Sequence, residues 1–125
     1  MQILHFSVSE QRIAWTNPVR RPVEGSRGEV FVDLALDDEW TGRTVTVLFT
    51  NSFRAGAPVA CLWTGEPLAV PDEVLITGAL RIGLIGLSDG GHRALTTIWM
   101  DRGVPVYKSG GTEGIPPEDA EPALW

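Results

Sequence analysis

Cysteine and histidine are nearly missing from this sequence of 125 residues, which has one cysteine and two histidines. The lone Cys61 excludes an internal disulfide. His5 and His92 lie far apart without ligand spacing, which argues against a zinc site. A nucleophilic cysteine needs a histidine partner that this pattern does not supply, so Cys61 is predicted to be a buried, inert thiol. We expect no metal and no cofactor.

Long apolar runs and a basic balance are missing as well. No stretch has the unbroken apolar length of a membrane-spanning helix, and the first ten residues lack the basic start and apolar core of a signal peptide. Acids outnumber bases by 16 to 10, giving a net charge of −6. The pair Arg20–Arg21, near Arg12 and Arg27, is predicted to be a solvated loop. We therefore expect a soluble, intracellularly made protein without a membrane or nucleic acid partner.

A sustained apolar period of 3.6 residues is also absent, and alternation with period two takes its place. Such alternation predicts strands with one buried face. "PDEVLITG" holds one helical turn at most, and Pro105 confines the last strand to an edge. Turn signals separate the short strands, which is typical of a sandwich or barrel. The predicted inward-facing residues are Leu4, Phe6, Val8, Val30, Val32, Leu34, Leu36, Val45, Val47, Phe49, Leu80, Ile82 and Leu84.

Glycines interrupt one of these predicted strands, "ALRIGLIGL". Gly83 and Gly86 weaken it and indicate a bulge or a close backbone approach. The following "GLSDG", residues 86–90, matches the pattern of a nucleophile elbow around Ser88. An elbow needs a helix after the serine, whereas "ALTTIWM" predicts a strand. We therefore interpret Ser88 as part of a hairpin turn and predict no catalytic residue.

Five tryptophans are the other notable feature. Trp15, Trp63 and Trp99 lie within strand patterns, which predicts that they pack in the core. Trp40 follows Asp37–Glu39 in a loop that is interpreted as a solvated turn rather than a calcium site. We expect its ring to fold under the sheet edge and cover an open end of the core. Exposed rings would instead favour sugar stacking, which leaves a carbohydrate-binding module as the alternative function.

The composition changes at residue 109. Residues 109–125 hold three prolines, four acids and no base, which predicts an extended tail after a sandwich domain at residues 1–108. The terminal pair Leu124–Trp125 indicates continuation into a further segment or docking on a partner, and the alternative is that it packs back on its own domain. The residues expected to contact partners are Ile115, Pro116, Pro117, Leu124 and Trp125.

The order of motifs resembles the amino-terminal domain of phage baseplate upper proteins and related tail proteins of phages and prophages of Gram-positive bacteria. A loop "RPVEGSRG" is followed by a D-x-x-W-x-G loop and a strand "TVLFTN", residues 46–51. Next come a P-x-E-V-L element, a G-x-x-G strand and a T-T-I strand. The residues that match these patterns and a final S-G-x-x-E-G-x-x-P are Asp37, Trp40, Gly42, Val70, Pro71, Glu73, Val74, Leu75, Gly83, Leu84, Gly86, Thr96, Thr97, Ile98, Ser109, Gly110, Glu113, Gly114 and Pro117.

The resemblance implies an immunoglobulin-like antiparallel β-sandwich that anchors a fibre or tail protein to the baseplate, with no substrate. It implies other tail and baseplate proteins as partners and a homo-oligomer in the full assembly. The implied location is the virion, after synthesis in the host cytoplasm. Members of that family continue past the proline-rich segment into helical segments, whereas this sequence stops at Trp125. It is therefore either a shortened piece or a minimal version.

Overall fold

The computed structural model describes residues 1–17, 20–100 and 102–109. The regular structure of these residues consists of nine strands, joined by turns that include three single 3₁₀ turns. The described residues contain no α-helix. The strands are β1 (Gln2–Ser9), β2 (Arg12–Trp15), β3 (Val30–Leu36), β4 (Thr44–Asn51), β5 (Val59–Leu62), β6 (Leu68–Ala69), β7 (Gly78–Ser88), β8 (Arg93–Thr96) and β9 (Val104–Val106).

The strands form two sheets. The four-stranded sheet has the order β2-β1-β3-β6, and the five-stranded sheet has the order β5-β4-β7, with β8 and β9 pairing with successive parts of β7. All pairings between named strands are antiparallel except β1 with β3, which run parallel from Gln2 beside Val30 to Val8 beside Leu36. The predicted all-β sandwich is confirmed.

The core lies between the two sheets, and the alternation seen in the sequence builds it. The four-stranded sheet contributes Leu4, Phe6 and Val8 from β1, and every one of them is buried. Inward-facing residues of β3, β4 and β7 complete the same cluster, as predicted, although Leu36 is only half-buried. Burying each large side chain contributes about 1.5–3 kcal/mol. This shared core fixes which face of each strand is left for solvent.

Local predictions are largely confirmed. The element "PDEVLITG" contains one 3₁₀ turn, Asp72–Val74. Strand β9 contains Pro105 and lies at the edge of its sheet, paired only with β7 among the named strands. The strand predicted for "ALTTIWM" is shorter than expected, because β8 ends at Thr96. The predicted tail residues 110–125 lie outside the described residues.

Candidate functional site

The loop between β3 and β4 inserts Trp40 into the core. A 3₁₀ turn, Asp38–Trp40, directs the indole inward, where it is 3% exposed. The ring lies over Gly86 of β7, where an added Cβ would come within 2.9 Å of two ring carbons. The prediction that Trp40 is buried is confirmed, whereas the close neighbour at Gly86 is a side chain rather than the predicted bulge or backbone. This loop therefore serves the fold.

The segment that resembles a nucleophile elbow is a hairpin. Strand β7 ends at Ser88, a 3₁₀ turn follows at Asp89–Gly91, and β8 returns with Arg93 opposite Ser88. The Arg43 guanidinium donates long hydrogen bonds of 3.4 Å to the Ser88 hydroxyl and to the Gly86 carbonyl. A nucleophile elbow needs a helix after the serine, whereas a strand follows here. The interpretation of this turn as a hairpin is therefore confirmed.

The loop "RPVEGSRG" is held against the segment that follows the 3₁₀ turn at Asp72–Val74. The Glu24 carboxylate accepts hydrogen bonds from the Thr77 backbone N–H at 3.0 Å and from its hydroxyl at 2.8 Å. It also accepts one from the Ser109 backbone N–H at 3.3 Å. Arg27 forms an exposed ion pair with Asp72 at 3.0 Å. The loop borders an open depression of about 300 Å³, and the Arg27–Asp72 ion pair belongs to its lining.

The strand "TVLFTN" ends in a buried polar anchor. Asn51 is 2% exposed, and its side-chain amide donates to the carbonyls of Val74 at 3.1 Å and Ile76 at 2.9 Å. Its side-chain oxygen accepts from the Phe53 backbone N–H at 3.0 Å. Because buried polar groups are costly when unpaired, this residue locks β4 to the 3₁₀ turn that follows β6.

The T-T-I motif joins β7 to the β1–β2 hairpin. Thr97 donates its backbone N–H to the Leu84 carbonyl, and its hydroxyl accepts the Leu84 N–H at 3.0 Å. Ile98 N–H donates to the Gln11 carbonyl, and the Gln11 side chain donates back to the Thr96 carbonyl. These motifs, like those at Trp40, Glu24 and Asn51, bind parts of the same chain. The residues that carry the resemblance therefore mainly hold the fold.

The outer face of the five-stranded sheet is built differently. Residues of β4, β5, β7 and β8 that alternate away from the core form three cross-strand rows without a charged side chain. We call this surface the open face. Arg81, one row further along β7, is its nearest charged neighbour on that strand. The open face consists of Thr44, Leu87 and Ala94; Leu62, Thr46, Ile85 and Thr96; and Ala60, Leu48 and Gly83.

Trp99 lies on this open face, which overturns the prediction that it packs in the core. Its indole covers Gly83, with ring carbons 3.2 Å from the position of an added Cβ, and it remains 40% exposed. The error arose because β8 ends at Thr96, so the alternation no longer sets the direction of later side chains. At Gly83 too, the close neighbour is a side chain rather than the predicted bulge or backbone. Trp15 and Trp63 are half-buried and pack against the core cluster.

The open face was missed from the sequence, although a signal for it exists. Strand β7 carries Ile85 and Leu87 on the face opposite Ile82 and Leu84. A strand that is apolar on both faces is typical of a sheet covered on both sides. Leu62 of β5, 56% exposed, extends the apolar surface towards the sheet edge.

The remaining candidate residues form no reactive cluster in the described structure. Burial raises the pKa of the Cys61 thiol, and the nearby Glu73 carboxylate adds to the effect. The thiol is partly rather than fully buried. His5 pairs with Asp33 at 3.4 Å on the solvent side of the four-stranded sheet. Within residues 1–17, 20–100 and 102–109, acidic, histidine and cysteine side chains form no group of three able to hold a metal ion.

Two further expectations concern the predicted partner contacts and membrane-spanning helices. The predicted partner contacts, Ile115, Pro116, Pro117, Leu124 and Trp125, lie outside the described residues. In the part of the chain that is described, no helix has the length and apolar character to cross a bilayer.

Comparisons with known proteins give no family assignment. A scan against protein-family models, a search of curated proteins and a search of solved structures each found no match to this chain.

Proposed function

We propose that this chain is a structural module without catalytic activity that joins proteins in the tail or baseplate of a phage or prophage. The observation that carries the proposal is the open face, an uncharged and largely apolar sheet surface that the described chain leaves partly exposed. Exposed apolar surfaces of this kind mark sites of contact with other proteins. The order of motifs that resembles baseplate proteins supplies the tail as the setting.

The chemistry of the described surface favours binding to other proteins over catalysis. The residues that drew attention in the sequence, Trp40, Asn51 and Glu24, are engaged in contacts within the fold. The proposed partners are other tail and baseplate proteins, and the proposed location is the assembled virion. In this role the chain contributes surface complementarity, and its partners supply any further activity of the assembly.

Size-exclusion chromatography with candidate tail and baseplate proteins from the same genome tests the proposal. We expect the chain to share an elution peak with at least one of them when the two are mixed at equal concentration. Each protein run alone provides the reference position. Elution of the chain at its own position in every mixture would overturn the proposal.

A carbohydrate-binding module is the second candidate, and the exposed indole of Trp99 favours it. An aromatic ring on an open sheet can stack against a sugar, but such sites commonly offer more than one ring. Among residues 1–17, 20–100 and 102–109, Trp99 is the tryptophan on the open face, whereas Trp40 is buried. A glycan array with the wild type and Trp99→Ala decides this candidate. Binding that disappears in the variant supports it, and no binding by the wild type eliminates it.

A further inference from the structure

The open face has the dimensions of a small interface. Its rows cross four strands, β5, β4, β7 and β8. The three rows hold ten positions, and at about 4.8 Å between strands and about 6.8 Å between rows they cover roughly 330 Å² in projection. Two such faces in contact bury on the order of 650 Å², well below the roughly 1,200–2,000 Å² of standard stable interfaces. A contact of this size forms a weak, concentration-dependent complex.

The charge distribution restricts what can occupy this face. The whole chain has a net charge of −6, yet the three rows contain only leucine, isoleucine, alanine, glycine and threonine. A strongly charged partner would find no opposite charge here, and its own charges would be desolvated without compensation. A second copy of the same face brings no charge into the contact. The face is therefore electrostatically compatible with itself.

Shape leads to the same occupant. Two sheets with the same twist stack face to face at a small angle, about 10 Å apart, with side chains interdigitated. A twofold axis would place the same patch on both sides and close the contact at two copies. Trp99 provides a rigid aromatic group for the contact, because its indole already rests on Gly83. Tryptophan is the residue type most enriched among side chains that dominate interface energies.

We infer that the open face mates with the open face of a second copy of this chain, forming a weak twofold dimer. The inference rests on the proposed function in that it names one partner for the attachment surface. It fits a module that acts in a repeated assembly, where several weak contacts act together and strengthen one another.

Analytical ultracentrifugation from about 10 µM to 1 mM tests this dimer, a range chosen for a contact of low area. We expect the weight-average mass of the wild type to rise from that of one chain towards that of two. The rise should begin at lower protein concentration when salt is added, because salt screens the repulsion between two copies of charge −6. A wild type that stays monomeric throughout would overturn the inference.

Leu87→Lys is the decisive variant, and Val23→Lys is its matched control. Leu87 is 40% exposed and lies inside the sheet, between β4 and β8, so its replacement spares the strand edges. Val23 is 39% exposed and lies in the loop beside Tyr107, away from the open face. We expect Leu87→Lys to remain monomeric at about 1 mM and Val23→Lys to dimerise like the wild type.

Folding of both variants is checked by circular dichroism and urea midpoint. Trp99→Phe, which keeps an aromatic ring on Gly83, serves as a milder second variant and should weaken the dimer without abolishing it. A folded Leu87→Lys that dimerises like the wild type would overturn the inference. If the wild type is strictly monomeric but co-elutes with tail proteins, only the dimer is refuted. If the wild type forms the dimer but co-elutes with none of the tail proteins, only the proposed tail partners are refuted.

Discussion

Two tryptophans lie against glycines of the same strand, and they do so on opposite faces of it. Trp40 covers Gly86 on the core side of β7 and is 3% exposed, whereas Trp99 covers Gly83 on the outer side and is 40% exposed. The local chemistry is the same, since in both cases a missing side chain makes room for an indole. What differs is the surroundings. The inner pair closes the core, and the outer pair forms part of a partly exposed surface.

The inner contact should have the larger effect on stability. We expect Trp40→Ala to lower the free energy of unfolding by about 3–5 kcal/mol, because it removes a fully buried ring and leaves a cavity. Urea denaturation followed by circular dichroism measures the loss. Trp40→Phe, which retains an aromatic ring, is the control and should lose less. A loss under about 1 kcal/mol would contradict the burial of this indole.

The polar anchor on the same side comes next. Asn51→Ala should cost about 2–3 kcal/mol, because the carbonyls of Val74 and Ile76 and the N–H of Phe53 lose their partner. The same denaturation measurement applies. Asn51→Asp keeps the acceptor but removes the two donated bonds, so it should be destabilised as well. An alanine variant as stable as the wild type would show that water replaces the amide.

The glycines offer a matched pair of substitutions. Gly86→Ala should cost about 1–3 kcal/mol, because its Cβ would meet the Trp40 ring at 2.9 Å and the Arg43 side chain at 3.0 Å inside a filled core. Gly83→Ala should stay within about 0.5 kcal/mol of the wild type, because the exposed Trp99 ring can shift and alanine suits a strand better. Equal losses in the two urea titrations would remove the distinction between the faces.

The outer indole should have a smaller effect on stability than the inner indole. We expect Trp99→Ala to cost about 1–2 kcal/mol, since a half-exposed ring loses less apolar burial than a core ring. Thermal unfolding monitored by circular dichroism gives the value. The comparison is Leu62→Ala, on the same face but without a glycine beneath the side chain. It should lower the free energy of unfolding by less than Trp99→Ala does. A loss for Trp99→Ala that equals the loss for Trp40→Ala would restore the core assignment made from the sequence.

Alternation predicted the inward-facing residues because a buried face imposes period two on each strand. Gly83 and Gly86 also marked special positions in the strand, although indole rings rather than a bulge or backbone lie there. Both inferences depend on a few neighbouring residues. They needed no knowledge of how distant strands pair.

Other features depend on contacts between distant residues, and local patterns do not encode these. The parallel pairing of β1 with β3 joins segments separated by a long loop. Asn51 is buried because carbonyls 23 and 25 residues away accept its hydrogen bonds. The Thr97 hydroxyl accepts the Leu84 N–H and so ends the regular hydrogen-bond ladder of the sheet. For this reason Trp99 was wrongly predicted to lie in the core. The open face escaped prediction because it requires knowing which strands are neighbours.

The most direct test of the central claim follows both indoles in one sample. The chain is labelled with 5-fluorotryptophan, the Trp99 signal is assigned from Trp99→Phe and the Trp40 signal from Trp40→Phe, and ¹⁹F spectra are recorded during dilution. The claim that the outer face mates and the inner face only holds the fold predicts that the Trp99 signal shifts with protein concentration while the Trp40 signal stays fixed. A Trp99 signal that is unchanged throughout the dilution would contradict it.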